Sequence, residues 1–199
     1  MLNVKVLRDI LAAKSVRWGK FTLASGKESD FYVDVRQTSL SPEGALAIAR
    51  LLHQRLHPQV VAVGGLTLGA DPIACAVSTY SALTSRPIAA FLVRKEAKAH
   101  GTGARIEGLG NVPPGSHVAV VEDTTTTGKS MLQAIEAAQQ AGLIVVQVLT
   151  IVDRQEGAEE FLQGQGYTLE SLITREDLEP ESLKLGGDAV QTSKSTERS

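Results

Sequence analysis

The sequence predicts an α/β domain built on a mainly parallel sheet flanked by helices. Short apolar runs alternate along the chain with segments of helical periodicity, the pattern that lays parallel strands side by side and helices over their faces. Four of those runs, Val60 to Val63, Ile88 to Val93, Val118 to Val121 and Ile144 to Val152, read as buried strands. A chain of 199 residues with 43% hydrophobic but only 4% aromatic side chains fits one domain with an aliphatic core, large enough to stand without staples.

In chain order, Leu7, Ile10 and Leu11 give a short amphipathic helix. Ser41-Pro42 is a cap followed by a first-turn proline, and Ala45, Ile48, Ala49 and Leu52 recur at helical spacing until Pro58. After the strand Val60 to Val63 comes a glycine-rich turn, Gly64 to Gly69, then Asp71-Pro72 opens a helix through Tyr80. The segment Ala97 to Asn111 is glycine-rich and has no apolar periodicity, which predicts a long mobile loop kept for function. A helix runs from about Gly128 to Ala141 and ends at Gly142. The domain is expected over residues 1–185. The tail 186–199, rich in Gly, Ser, Thr and charge, is expected to be disordered.

Composition excludes several classes. A formal charge of −2, with no dense basic stripe outside Arg94 to Lys98, argues against a nucleic-acid-binding surface. The single Cys75 allows neither an intrachain disulfide nor a cysteine-based zinc cluster, and its apolar neighbourhood predicts a small core residue. No signal-like leader and no apolar run approaching membrane-spanning length is present, so no membrane association and a cytoplasmic location are expected.

The segment Val120 to Lys129, V-V-E-D-T-T-T-T-G-K, carries the chemistry. The strand Val118 to Val121 ends by delivering Glu122 and Asp123 to the rim of the sheet, where carboxylates can accept hydrogen bonds from vicinal hydroxyls such as those of a ribose. Thr124 to Ser130 then offer backbone N–H groups and hydroxyls at a helix start, an anion site reinforced by the helix dipole. Together they fit a sugar phosphate. Two other readings meet the same letters. A plain strand-to-helix turn would use Thr126 or Thr127 only as a cap. A P-loop would share the ending Thr127-Gly128-Lys129-Ser130, but it needs glycine where Asp123 stands, and a carboxylate there repels a polyanion.

Three further segments are open on the residues alone. Arg94, Lys95, Lys98 and His100 are either a solvated basic loop or a set of cations for a departing anion. Gly64 to Asp71 is either an ordinary connection or a turn whose glycines let the backbone approach a ligand. Arg154, at a strand end, reads on the residues alone as a surface residue or a partner of Asp153.

The pattern Glu122-Asp123-x-x-Thr126-Thr127-Gly128 resembles the phosphoribosyl-diphosphate (PRPP) loop of the type I phosphoribosyltransferases. Three more segments resemble those of the orotate phosphoribosyltransferases among them. They are Phe21 to Gly26 with Phe31 to Arg36, Arg94 to Gly101, and Val152 to Glu156. The resemblance runs in family order from about residue 3 to about residue 178.

The resemblance implies the type I phosphoribosyltransferase fold with a small N-terminal hood. It implies transfer of the phosphoribosyl group of PRPP to orotate, giving orotidine 5'-monophosphate and pyrophosphate in the synthesis of UMP. Lys98, His100 and Asp123 would be catalytic. PRPP would be held by Arg94, Lys95, Lys98, His100, Glu122, Asp123, Thr124, Thr125, Thr126, Thr127, Gly128, Lys129 and Ser130, and orotate by Thr126 and Arg154, with Tyr32 and Val33 flanking the ring. Mg²⁺ would be held by substrate oxygens rather than by a protein cage. A homodimer would share its sites, Lys98 and His100 reaching the neighbour's pyrophosphate. The chain departs from many members of the family in carrying Ala24 where they have lysine, and from some in carrying Gly69 where they have another, which shifts the load onto cations such as Arg36 or Lys27. The alternatives on the same fold are transfer to another base, such as a purine, or a PRPP-sensing regulator that has lost catalysis.

Overall fold

The computed structural model describes residues 4–22, 28–96 and 105–180. The chain opens with helix α1 (Val4–Lys14), whose Leu7 and Leu11 are fully buried. Strands β1 (Val16–Thr22) and β2 (Glu28–Val33) then form an antiparallel pair, and a short helix, α2 (Arg36–Ser39), follows. This pair is the hood implied above. Helix α3 (Pro42–Arg55) starts where the cap predicts, with Ser41 Oγ accepting from the Gly44 N–H at 3.3 Å.

The main sheet is built from β3 (Ala62–Leu66), β4 (Ala89–Val93), β5 (Ile106–Glu107), β6 (His117–Thr125), β7 (Ile144–Asp153) and β8 (Leu169–Thr174). Its order is β5-β4-β3-β6-β7-β8, parallel except for the β4–β5 pair. Helix α4 (Ala70–Ser81) links β3 to β4, α5 (Lys129–Gln140) links β6 to β7, and α6 (Ala158–Gly164) links β7 to β8.

Alternation along each strand divides the core in two. Ala119 and Val121 of β6 pack with Leu149 and Ile151 of β7 on the face covered by α1, α3 and α4. Val118, Val120 and Val148 face the other way, onto Met131, Ala134, Ile135 and Ala138 of α5 and Leu162 of α6. Each fully buried aliphatic side chain contributes about 1.5–3 kcal/mol, so both faces hold the sheet. That is why its strands read as continuous apolar runs.

Several boundaries differ from expectation. Gly64 and Gly65, expected in a turn, lie inside β3, because a Cβ on Gly64 would overlap the Phe91 carbonyl and one on Gly65 the Val121 carbonyl. Strand β6 does not stop at Val121 but pairs with β7 through Thr125, opposite Asp153. Helix α4 begins at Ala70 with Gly69 at its N-cap, in place of the expected cap Asp71. The segment expected as one mobile loop, 97–111, is ordered in its second part. Ile106, 5% exposed, pairs with Val93 on the edge of the sheet, and Leu109–Asn111 form a 3₁₀ turn. Residues 97–104 and the expected tail lie outside the described residues. Cys75 is exposed rather than in the core, because the buried stripe of α4 runs through Ala70, Ile73, Ala74 and Val77 and leaves position 75 off it. Among the described residues no helix is long and apolar enough to cross a membrane.

Candidate active site

The sheet itself marks where a ligand fits. From β3 the chain passes to β4 on one side, then returns to place β6 on the other side of β3 and continues outward to β7 and β8. The connections after β3 and β6 therefore diverge and leave a crevice beyond their carboxyl ends, the usual ligand position in an open α/β sheet. A cavity of about 320 Å³ lies there, lined by Leu68 and Gly69 from the turn after β3, Glu122, Asp123 and Thr124 from β6, Ser130 from α5, Lys95, and Tyr32 and Arg36 from the hood side.

Two adjacent carboxylates face different balances. Burial pushes the Glu122 carboxyl up to about 8, with the neighbouring Asp123 charge adding to the shift. Burial also raises Asp123, but the Thr124 N–H, which donates to its Oδ1 at 2.8 Å, and the Arg36 charge both oppose the rise. Arg36 donates from Nε to Asp34 Oδ1 at 2.8 Å and thereby holds Asp34 below the usual carboxylate range. The Arg36 guanidinium thus lines the cavity together with Lys95 and Gly69. Lys27, the other candidate, and Ala24 lie outside the described residues.

The turn from β6 into α5 consists of Thr126, Thr127 and Gly128. Gly128 sits at φ 75°, and a Cβ there would come within 3.1 Å of Phe161 and 3.2 Å of Leu162, so both backbone and space call for glycine. It is the N-cap of α5 and no side chain caps the helix. The reading in which Thr126 or Thr127 serves as a cap is thereby overturned, and the first amides of α5 are left for another acceptor. Lys129 is exposed at the start of the helix. Thr125 is turned elsewhere: it is buried, and its hydroxyl donates to Asp153 Oδ1 at 3.2 Å.

Arg154 follows β7, its N–H donating to the Thr125 carbonyl at 3.0 Å. This places it beside Thr126 just beyond the ladder. It is neither a surface residue nor the partner of Asp153. It is 8% exposed, its Nη2 lies 2.8 Å from Glu156 Oε1, and its Nε has no hydrogen-bond partner among the described residues. Its guanidinium stands 5.8 Å from the centre of the Phe31 ring. On the same ring sits Arg175, at 5.5 Å, which also pairs with Asp30 at 2.7 Å. Sequence reading missed Glu156 as the partner of Arg154 and Arg175 as a second cation on the Phe31 ring. The Asp30–Arg175 pair spans 145 positions, and no local pattern announces it.

At the end of β4, Arg94 pairs with Glu107 at 3.3 Å, and its carbonyl accepts from Arg105 Nε at 3.2 Å. Lys98 and His100 lie outside the described residues. Among the described residues no group of three His, Cys, Asp or Glu side chains comes together that could hold a metal ion.

No family model matches the chain. It is, however, 47% identical over 180 residues to the orotate phosphoribosyltransferase of Nostoc sp., covering 90% of this chain and 87% of that one. The orotate phosphoribosyltransferase of Mycobacterium tuberculosis in complex with Fe(III) dicitrate superposes with a TM-score of 0.76 at 43% identity, covering 88% of this chain and 98% of that one. The same enzyme in complex with PRPP superposes with a TM-score of 0.73 at 38% identity, again over 88% and 98% of the two chains. A crevice at the reversal of strand order, two carboxylates at its edge and an uncapped helix beside them are thus set on a chain that belongs to the orotate phosphoribosyltransferase family.

Proposed function

We propose that this chain is an orotate phosphoribosyltransferase whose PRPP lies in the crevice between the β3 and β6 ends, with orotate beside Arg154. The observation that carries the reading is the buried Arg154 guanidinium, with its Nε unpaired, next to a helix whose first amides no side chain caps. Orotate is a flat carboxylate and PRPP a polyanion. A planar donor fork suits the first and a bare helix N-terminus the 5-phosphate of the second.

In the reaction, a ring nitrogen of orotate forms a bond to the anomeric carbon of PRPP while the bond from that carbon to the pyrophosphate oxygen breaks. The electron pair leaves with pyrophosphate, and the ring nitrogen's proton is released. Positive charge develops on the ribose and negative charge on the leaving group. Asp123 accepts from the ribose hydroxyls and, as a carboxylate, favours the cationic sugar. Glu122, held toward its neutral form, can donate as well as accept at those hydroxyls. Thr126 to Ser130 hold the 5-phosphate. Arg94, Lys95, Lys98 and His100 meet the pyrophosphate, His100 as a proton donor to it.

The donor set near the sugar, two adjacent carboxylates with no third ligand among the described residues, fits a Mg²⁺ that keeps substrate oxygens as most of its ligands. Bound there, the ion would neutralise charge on the pyrophosphate. The working form is a cytoplasmic homodimer in which Lys98 and His100 serve the neighbour's site.

Incubation with PRPP, Mg²⁺ and a panel of bases tests the assignment. Orotate should be consumed while adenine, guanine and xanthine are not, and purine turnover at a comparable rate would sink it.

A further inference from the structure

Gly69 forms the N-cap of α4 with φ −63° and ψ −42°, an ordinary right-handed conformation open to any residue. The backbone therefore does not call for glycine. At an N-cap alanine ranks below glycine by a modest amount, a cost at the helix end and not a backbone strain. In this chain the space that a side chain would take, and that lysine takes in some relatives, is occupied by Asp123. A Cβ at position 69 would overlap Oδ1 of that carboxylate and lie 2.6 Å from its Cγ and 2.9 Å from its Oδ2, well inside van der Waals contact. Asp123 is held in this place by the Thr124 N–H on its Oδ1 at 2.8 Å and by attraction to Arg36, and all three residues line the cavity with Gly69.

We propose that Gly69 is a positioning residue that keeps clear the space in which the Asp123 carboxylate sits, so that the turn after β3 sets the carboxylate that reads the ribose. The inference rests on the assignment of Asp123 to the ribose of PRPP. It differs from a role of the glycine in letting backbone approach pyrophosphate, because it acts through another side chain. The crowded atoms end a flexible side chain rather than belonging to backbone. A methyl group at 69 therefore leaves the fold intact and turns the carboxylate aside, breaking its bond to Thr124.

The test is a double-mutant cycle read as PRPP affinity by calorimetry in the presence of Mg²⁺, with melting temperature recorded alongside. Gly69→Ala should melt within about 4 °C of wild type and bind PRPP about tenfold more weakly, while in the Asp123→Ala background the same substitution should change affinity by less than about twofold. Equal PRPP affinity in Gly69→Ala and wild type overturns the proposal. So does a tenfold loss that persists without the Asp123 carboxylate, which would place Gly69 directly on the pyrophosphate. A melting temperature lowered by more than about 4 °C in Gly69→Ala would show that the glycine serves the fold and also overturns it. A wild-type protein that binds no PRPP at all fails earlier, sinking the ribose assignment together with this inference.

Discussion

The guanidinium of Arg154, just past the end of β7, lies 5.8 Å from the centre of the Phe31 ring on β2. Phe31 is fully buried and also meets Trp18 of β1 at a centroid distance of 4.9 Å. The hood thus touches the main sheet through an aromatic face that holds the arginine's orientation, an arrangement worth about 0.5–2 kcal/mol per cation. A guanidinium held in this way with a donor to spare is already arranged for a planar acceptor.

Arg154→Lys tests that arrangement. The charge remains, but the planar fork and its stacking on Phe31 are lost. Efficiency toward orotate should fall by about 1.5–3 kcal/mol, and the KM for PRPP should stay near wild type. Steady-state kinetics with each substrate varied in turn would show it. An unchanged KM for orotate in both Arg154→Lys and Arg154→Ala would remove Arg154 from the base site.

Glu122→Gln tests the electrostatics of the crevice. Burial pushes the folded-state pKa of Glu122 up to about 8, whereas the unfolded chain titrates in the usual carboxylate range. Between the two, the folded protein keeps a proton that the unfolded chain has released, so stability falls as pH rises through that window. Glutamine carries no such penalty. The variant should match wild type near about pH 4 and exceed it above about pH 8, by about 1–2 kcal/mol once the side chain's partial access to water is allowed for. Urea unfolding across that range, without ligand, measures the difference. A gap that does not widen with pH would show that Glu122 is ionised at neutral pH.

The parts of the site that were legible in the sequence are those built from contiguous residues. Glu122, Asp123 and the turn to Gly128 lie on one strand-turn-helix segment, so spacing alone brings the carboxylates and the amides together. Glycine was harder to read. Gly64 and Gly65 resemble a turn in the letters, yet they serve close approach to the Phe91 and Val121 carbonyls inside β3, a need set by neighbouring strands. Strand β5 is two residues long, too short for any periodicity to show. Phe31 on β2 meets Arg154 after β7 and Arg175 after β8, and only the folded topology brings those segments together.

Asp123→Asn addresses the sugar contact directly. The substitution keeps size and removes charge, so charge-assisted bonds to the ribose hydroxyls weaken and PRPP recognition should lose about 1–3 kcal/mol. The KM for PRPP and kcat together report it. Wild-type efficiency toward PRPP would mean that the carboxylate is not on the sugar.

The last prediction concerns sharing of sites between subunits. If Lys98 acts on the neighbour's pyrophosphate while Arg154 acts within its own subunit, the Lys98→Ala and Arg154→Ala homodimers each lack a needed group at every site. Mixing the two and allowing subunits to exchange creates heterodimers in which one site is doubly defective. The other combines an intact Arg154 with the intact Lys98 of its neighbour. Activity should therefore reappear on mixing and approach about a quarter of wild type when exchange is random and the sites are independent. Mass-tagged subunits establish that exchange has occurred. A mixture that has exchanged and still stays as inactive as its parents would show that Lys98 serves its own subunit or takes no part.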